Sequence, residues 1–173
     1  MVAFKKGLKQ VYIQEVEDVA VHTRSNLMKN NCDNTTVISA LWGVALVDEC
    51  AKLSMLSKFD VIIMADVLYH EEHMPALVES ILRCMAASCK IVICCEQRRK
   101  DLNTLFFDDL FTRLNTYTTE SAQYFVVKWM VYRYAIEQGN EDIPSDLDTE
   151  MKPVIQFYLH VIDVTSRAHE KEE

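Results

Sequence analysis

Four apolar runs in this chain each lead into a residue that could do chemistry. Glu15 follows residues 10–14 (QVYIQ), and Trp42 follows residues 35–40 (TTVISA) after Leu41. Asp66, Val67, Leu68 and Tyr69 follow residues 59–65 (FDVIIMA), and Glu96, Gln97, Arg98 and Arg99 follow residues 90–95 (KIVICC). In open α/β sheets, ligands bind beyond the carboxyl ends of the strands, so these four points are where a site is expected. Glu15 could accept two hydrogen bonds from a sugar diol, or simply favour the positive end of a following helix. Trp42 could stack on a flat or sulfur-containing group, or fill core space. Asp66, at the end of what reads as the most buried strand, is costly unless paired or wet, which favours a functional role over a helix cap. Tyr69 either orients a polar substrate group or packs. Glu96 and Arg98 stand on the substrate side of the same edge, or form a plain surface ion pair.

The elements that position these residues alternate. The strand at 10–14 leads into a helix at 17–29, with Val21, Leu27 and Met28 among its apolar positions. A polar turn of Asn30, Asn31, Asp33 and Asn34 leads to the strand at 35–40. Residues 44–56 read as one or two helical turns. The run at 59–65 is nearly all apolar, as in a central strand buried on both faces. Residues 71–87 carry the clearest helical signal: Met74, Leu77, Val78, Ile81, Leu82 and Met85 recur at three-and-four spacing. The strand at 90–95 leads to a helix over 101–114, with Asp101 as N-cap and Leu105, Phe106 and Leu110 as its apolar positions. This alternation predicts an α/β fold with a Rossmann-like, doubly wound, mainly parallel sheet. Residues 124–136 are apolar and aromatic with no clear period, and 154–164 read as a long strand. Joined by the acidic loop between them, the two make a C-terminal antiparallel hairpin at the sheet edge. Residues 1–165 are expected to form one incomplete domain, and residues 166–173 a charged, frayed tail.

Composition narrows the function. The chain has 173 residues and a net charge of −8, which argues against nucleic acid as main partner and leaves room for a basic protein substrate. No apolar run is long enough for a membrane span and no secretory signal opens the sequence, so an intracellular, cytoplasmic protein is expected. The six cysteines form no CxxC pair and several sit in apolar stretches, as reduced buried thiols do. No metal is expected: His70 and His73 lack the HExxH spacing, and adjacent Cys94 and Cys95 chelate poorly. Neither cysteine has a paired histidine that would make it a nucleophile. Only three glycines occur, Gly7, Gly43 and Gly139, against about 12 at average usage, so no glycine-rich phosphate or cofactor loop is present.

Taken in order, these segments resemble the class I, seven-stranded S-adenosylmethionine-dependent protein methyltransferases that carry a D-x-x-Y motif. FDVIIMADVLY over 59–69 resembles their fourth strand, with the motif at Asp66 to Tyr69. QVYIQE over 10–15 resembles their second strand and its ribose-binding acid; Leu41-Trp42-Gly43 resembles the tryptophan-glycine after their third. EQRR over 96–99, then Phe106-Phe107, resembles the region after their fifth. The similarity runs from about Val2 to Leu114. It implies S-adenosylmethionine as cofactor and transfer of its methyl group to a protein side chain, most often lysine. Glu15 is then the ribose ligand, Trp42 and Ala65 flank the cofactor, and Asp66 and Tyr69 face the amine.

The sequence departs from that family at its start. Residues 1–7 read as the end of the family's first helix, so the first strand and its Gly-x-Gly-like loop are expected to be missing. Such a strand would sit between those ending in Glu15 and Ala65, leaving two unpaired edges prone to self-association. Three explanations follow: a fragment of a complete enzyme, a non-catalytic methyltransferase-like subunit that docks in a larger assembly, or a sheet completed by another chain or by direct pairing of the two flanking strands.

Overall fold

The computed structural model describes residues 9–56, 59–96, 100–116, 123–137 and 154–168. Its elements are β1 (Val11–Glu15), α1 (Glu17–Lys29), β2 (Thr35–Ser39), α2 (Val44–Lys52), β3 (Phe59–Ala65), a 3-10 turn (Glu71–His73), α3 (Met74–Cys84), β4 (Met85–Glu96), α4 (Lys100–Thr116), β5 (Gln123–Glu137) and β6 (Val154–Ala168). The strand–helix alternation is the expected α/β architecture. The strands form two sheets: β1-β2, and β3-β4-β6-β5. β1 pairs with β2 in parallel, and β3 with β4 in parallel. β6 runs antiparallel to both β4 and β5, so the two terminal strands make the expected hairpin. Residues 124–136, of unclear period in the sequence, are extended throughout as part of β5. β6 continues to Ala168, past residue 166.

Direct pairing of the strands flanking the expected gap does not occur: β1 and β3 belong to different sheets. The two sheets meet instead through side chains and helices. The Tyr12 ring meets Phe59 edge-on at 5.4 Å, and the Cys50 and Cys84 sulfurs of α2 and α3 approach to 3.7 Å.

The arrangement of β3 corrects the expectation of a strand buried on both faces. Val61 is 40% and Ile63 64% exposed; with the exposed Ala65 they share one face of β3 that is largely uncovered, while Met64 on the opposite face is buried. An apolar run records what a strand needs to cover, not what covers it.

The α3 stripe is as expected: Met74, Leu77, Val78, Ile81, Leu82 and Met85 are all buried. The helix, however, ends at Cys84, three residues short of the sequence reading. Met85 turns to an extended backbone with ψ 141°, and β4 begins there. Ala86 and Ala87 favour helix locally, but pairing of Ser88 and Cys89 with Thr165 and Val164 of β6 favours strand. α4 starts at Lys100, so Asp101 lies in its first turn rather than at the N-cap, where its charge still suits the helix dipole. Leu105 is 47% exposed, while Leu102, Phe106, Phe107, Leu110 and Leu114 are buried. On α1 only Ala20 is buried; Val21 and Met28 are exposed. That helix draws its local support from Glu17 and Asp18 in the first turn and Lys29 in the last.

The main core joins α3 and α4 to β4 and β6. A smaller one gathers Ile38, Leu46, Cys50 and Cys84. Trp42 packs against both.

Candidate active site at the strand ends

Because β1 and β2 are parallel, and β3 and β4 are parallel, each pair presents its carboxyl ends on one edge. Glu15 is the last residue of β1 rather than the first beyond it. It is half-buried, and Thr23 Oγ1 of α1 lies 3.5 Å from its Oε1. Its backbone oxygen accepts from the Ala40 amide at 3.0 Å, which ties the end of β1 to the loop after β2. Nearby, the Ser39 hydroxyl donates to the Glu17 carboxylate.

That loop carries Trp42, which the sequence left between stacking and packing. The indole is partly buried between the two cores, and its Nε1 donates to Gln14 Oε1 at 2.8 Å. Gln14 Nε2 in turn donates to the Ala40 oxygen at 2.6 Å. Gln14 thus holds the loop at both ends, a role the sequence reading missed. Its only signal was an amide side chain closing an apolar strand.

Gly43 follows with φ +86°, a left-handed backbone that side chains disfavour. A Cβ there would meet Ala76 Cβ at 3.2 Å, and the Gly43 amide donates to Ser80 Oγ at 2.7 Å. The buried Ser80 hydroxyl donates to the Ala76 oxygen at 2.9 Å, so the loop is locked onto α3. Ser80 was also missed; it stands amid the apolar stripe of a buried helix.

Asp66 has φ +52° and its amide donates to the Cys94 oxygen at 2.8 Å, closing the end of β3 onto β4. The αL region is uncommon for a residue other than glycine and clusters at functional sites. Asp66 is exposed, which corrects its placement at the end of the most buried strand: the carboxylate is wet, and burial cost is no argument for its role. Ala65 is exposed beside it, and Tyr69 is 52% exposed. Four rings from two segments, the loop after β2 and the stretch between β3 and α3, meet here. Trp42 lies 6.4 Å from Tyr69 and 6.3 Å from His73, Tyr69 lies 5.0 Å from His70, and His70 lies 5.5 Å from His73. The structure therefore brings Trp42 and Tyr69 together across the two sheets.

Glu96 is the half-buried last residue of β4. Arg98, and with it the expected pairing of the two, lies outside the described residues, as do residues 1–8. Among the described residues no group of three or more His, Cys, Asp or Glu could hold a metal ion. All six cysteines are free, and burial pushes the Cys95 thiol up to about 11, so it is protonated and a poor nucleophile near neutrality. Among the described residues no helix is long and apolar enough to cross a membrane.

The α/β arrangement, with parallel strand pairs that each present their carboxyl ends on one edge, is that of the class I methyltransferases. The family model described as lysine methyltransferase matches residues 1–113, and the chain belongs to that family. Among solved structures, an rRNA methylase from Streptococcus thermophilus has the same fold at TM-score 0.53 and 18% identity, covering 95% of this chain and 79% of its own. A precorrin-6y C5,15-methyltransferase from Geobacter metallireducens is similar at TM-score 0.48 and 16% identity, covering 90% of this chain and 68% of its own. No curated protein matches the chain.

Proposed function

We propose that the chain transfers the methyl group of S-adenosylmethionine to a lysine side chain of a protein. The observation that carries this reading is the membership of the lysine methyltransferase family over residues 1–113, the part of the chain that holds every strand-end residue described above. Glu15, steadied by Thr23, suits the ribose diol; Trp42, held by Gln14, and the exposed Ala65 suit the flanks of the cofactor. When bound, the sulfonium supplies a methyl group already activated for transfer. Asp66 accepts a hydrogen bond from the acceptor amine and stabilises the positive charge that grows on its nitrogen. Tyr69 lies against Trp42 and limits the directions from which the amine can approach. Glu96 and Arg98 belong to the substrate side. The partner is a protein substrate, and a basic one suits the net charge of −8.

Titration calorimetry with S-adenosylmethionine and S-adenosylhomocysteine tests this directly. Micromolar binding, abolished by Glu15→Ala and retained by Asp66→Ala, is the expected result. No binding up to millimolar concentration would sink the catalytic reading for this chain.

One observation favours a second reading, a non-catalytic methyltransferase-like subunit. β3 leaves Val61 and Ile63 exposed beside an edge that no described strand covers. Such an edge suits association with another chain, or with a copy of this one.

A further inference from the structure

We infer that Tyr69, His70 and Glu72 form a docking face for a second cation of the substrate, an arginine side chain next to the methylated lysine in sequence. This rests on the proposed function and adds a specificity-determining subsite to it. The four rings of Trp42, Tyr69, His70 and His73 touch in a closed circuit with centroid separations from 5.0 to 6.4 Å. Those are contact distances for aromatic pairs. The rings therefore fill one another's space and leave no room for a guest between them. What the packing does is hold each ring still. Trp42 is anchored by Gln14 at 2.8 Å and packs against both Tyr69 and His73.

The outer surface of this cluster is open. Tyr69 is 52% exposed, and the His70 and Glu72 side chains are 56% and 67% exposed. A fixed, exposed aromatic face attracts cations, and arginine most often. Its charge is complementary as well. Glu72 Oε1 lies 3.5 Å from Nδ1 of His70, whose ring meets Tyr69 at 5.0 Å, and Glu71 and Asp66 stand exposed on the same segment. A guanidinium stacked on Tyr69 can direct its planar donors at the Glu72 carboxylate, a geometry that a lysine ammonium cannot match. In the proposed function Asp66, three residues before Tyr69, meets the acceptor amine, so the two cations would sit on neighbouring parts of one segment.

The test uses the full chain and two acetylated, amidated peptides of glycine and one lysine. In the first an arginine adjoins the lysine; in the second glutamine replaces that arginine. Binding is measured by fluorescence anisotropy with and without S-adenosylhomocysteine, and repeated in raised salt. The arginine peptide should bind about fivefold tighter than the glutamine peptide. Tyr69→Leu and Glu72→Gln should each remove most of that difference, with Glu72→Gln leaving S-adenosylhomocysteine affinity unchanged. Tyr69→Phe should keep the preference, since it keeps the ring. Equal binding of the two peptides overturns the inference, as does a preference that survives both Tyr69→Leu and Glu72→Gln. So does a preference that vanishes in salt equally for every variant, which would report only general attraction to an acidic protein. Failure of S-adenosylhomocysteine to bind bears on the methyltransferase reading and is read separately from the peptide preference.

Discussion

Trp42 Nε1 and Gln14 Oε1 lie 2.8 Å apart, and this contact joins the end of one strand to the ring that follows the next. Gln14 satisfies the indole and the Ala40 carbonyl at once. Gln14→Ala should cost about 2 kcal/mol, for two hydrogen bonds at about 1 kcal/mol each. It should also weaken cofactor binding by loosening Trp42. Urea unfolding and calorimetry check both. A variant as stable as the native chain would show that the loop holds its shape without the amide.

Gly43 is the one described glycine where the backbone demands the residue. With φ +86° and Ala76 Cβ 3.2 Å from where a side chain would begin, Gly43→Ala meets both strain and crowding. A loss of about 2 kcal/mol is expected, read as a fall in thermal midpoint. An unchanged midpoint would mean that the turn relaxes freely around an added methyl group.

His160 of β6 is buried against Phe107, with ring centroids 4.3 Å apart, and desolvation lowers its pKa from 6.5 to about 4. The sign follows from proton binding. Between these values the unfolded chain takes up a proton that the folded chain refuses, so folding stability falls as pH drops from 6.5 towards 4. The full effect is up to about 3 kcal/mol. His160→Phe should flatten this limb of the stability–pH curve. Urea midpoints measured across that range decide it; the same slope in both proteins would place the effect elsewhere.

The sequence was a good guide to the elements and a poor one to their surroundings. The bounds of β3 and α1 could be read from apolar runs and acidic starts, because those signals are local. The exposure of Val61 and Ile63 could not, because it depends on what packs over that face of β3. The early end of α3 was hidden for a related reason. Ala86 and Ala87 suit a helix, and pairing of Met85 with Phe59 of β3 and of Ser88 and Cys89 with a strand some eighty residues further on makes the segment extended. At the site, charged and aromatic strand-end residues announced themselves. Gln14 and Ser80, which hold them in place, look like ordinary polar residues until their partners are known.

The exposed edge of β3 yields a test of association. Ile63→Lys places a charge on a position that is 64% exposed, so it should cost little stability. If the edge mediates pairing with another copy, the native chain should show concentration-dependent mass in light scattering and Ile63→Lys should not. A native chain that stays monomeric at all concentrations would rule out self-pairing through β3.

Glu15 ends a strand of the two-stranded sheet, whereas Asp66 follows a strand of the four-stranded one. A ligand that reaches from one to the other is a staple across a seam in the backbone hydrogen-bond network. Its binding energy then becomes part of what makes the molecule unfold as a single unit. Without such a ligand, the β1–β2 layer and the larger sheet are free to open at different denaturant concentrations. With it, their two transitions should merge into one.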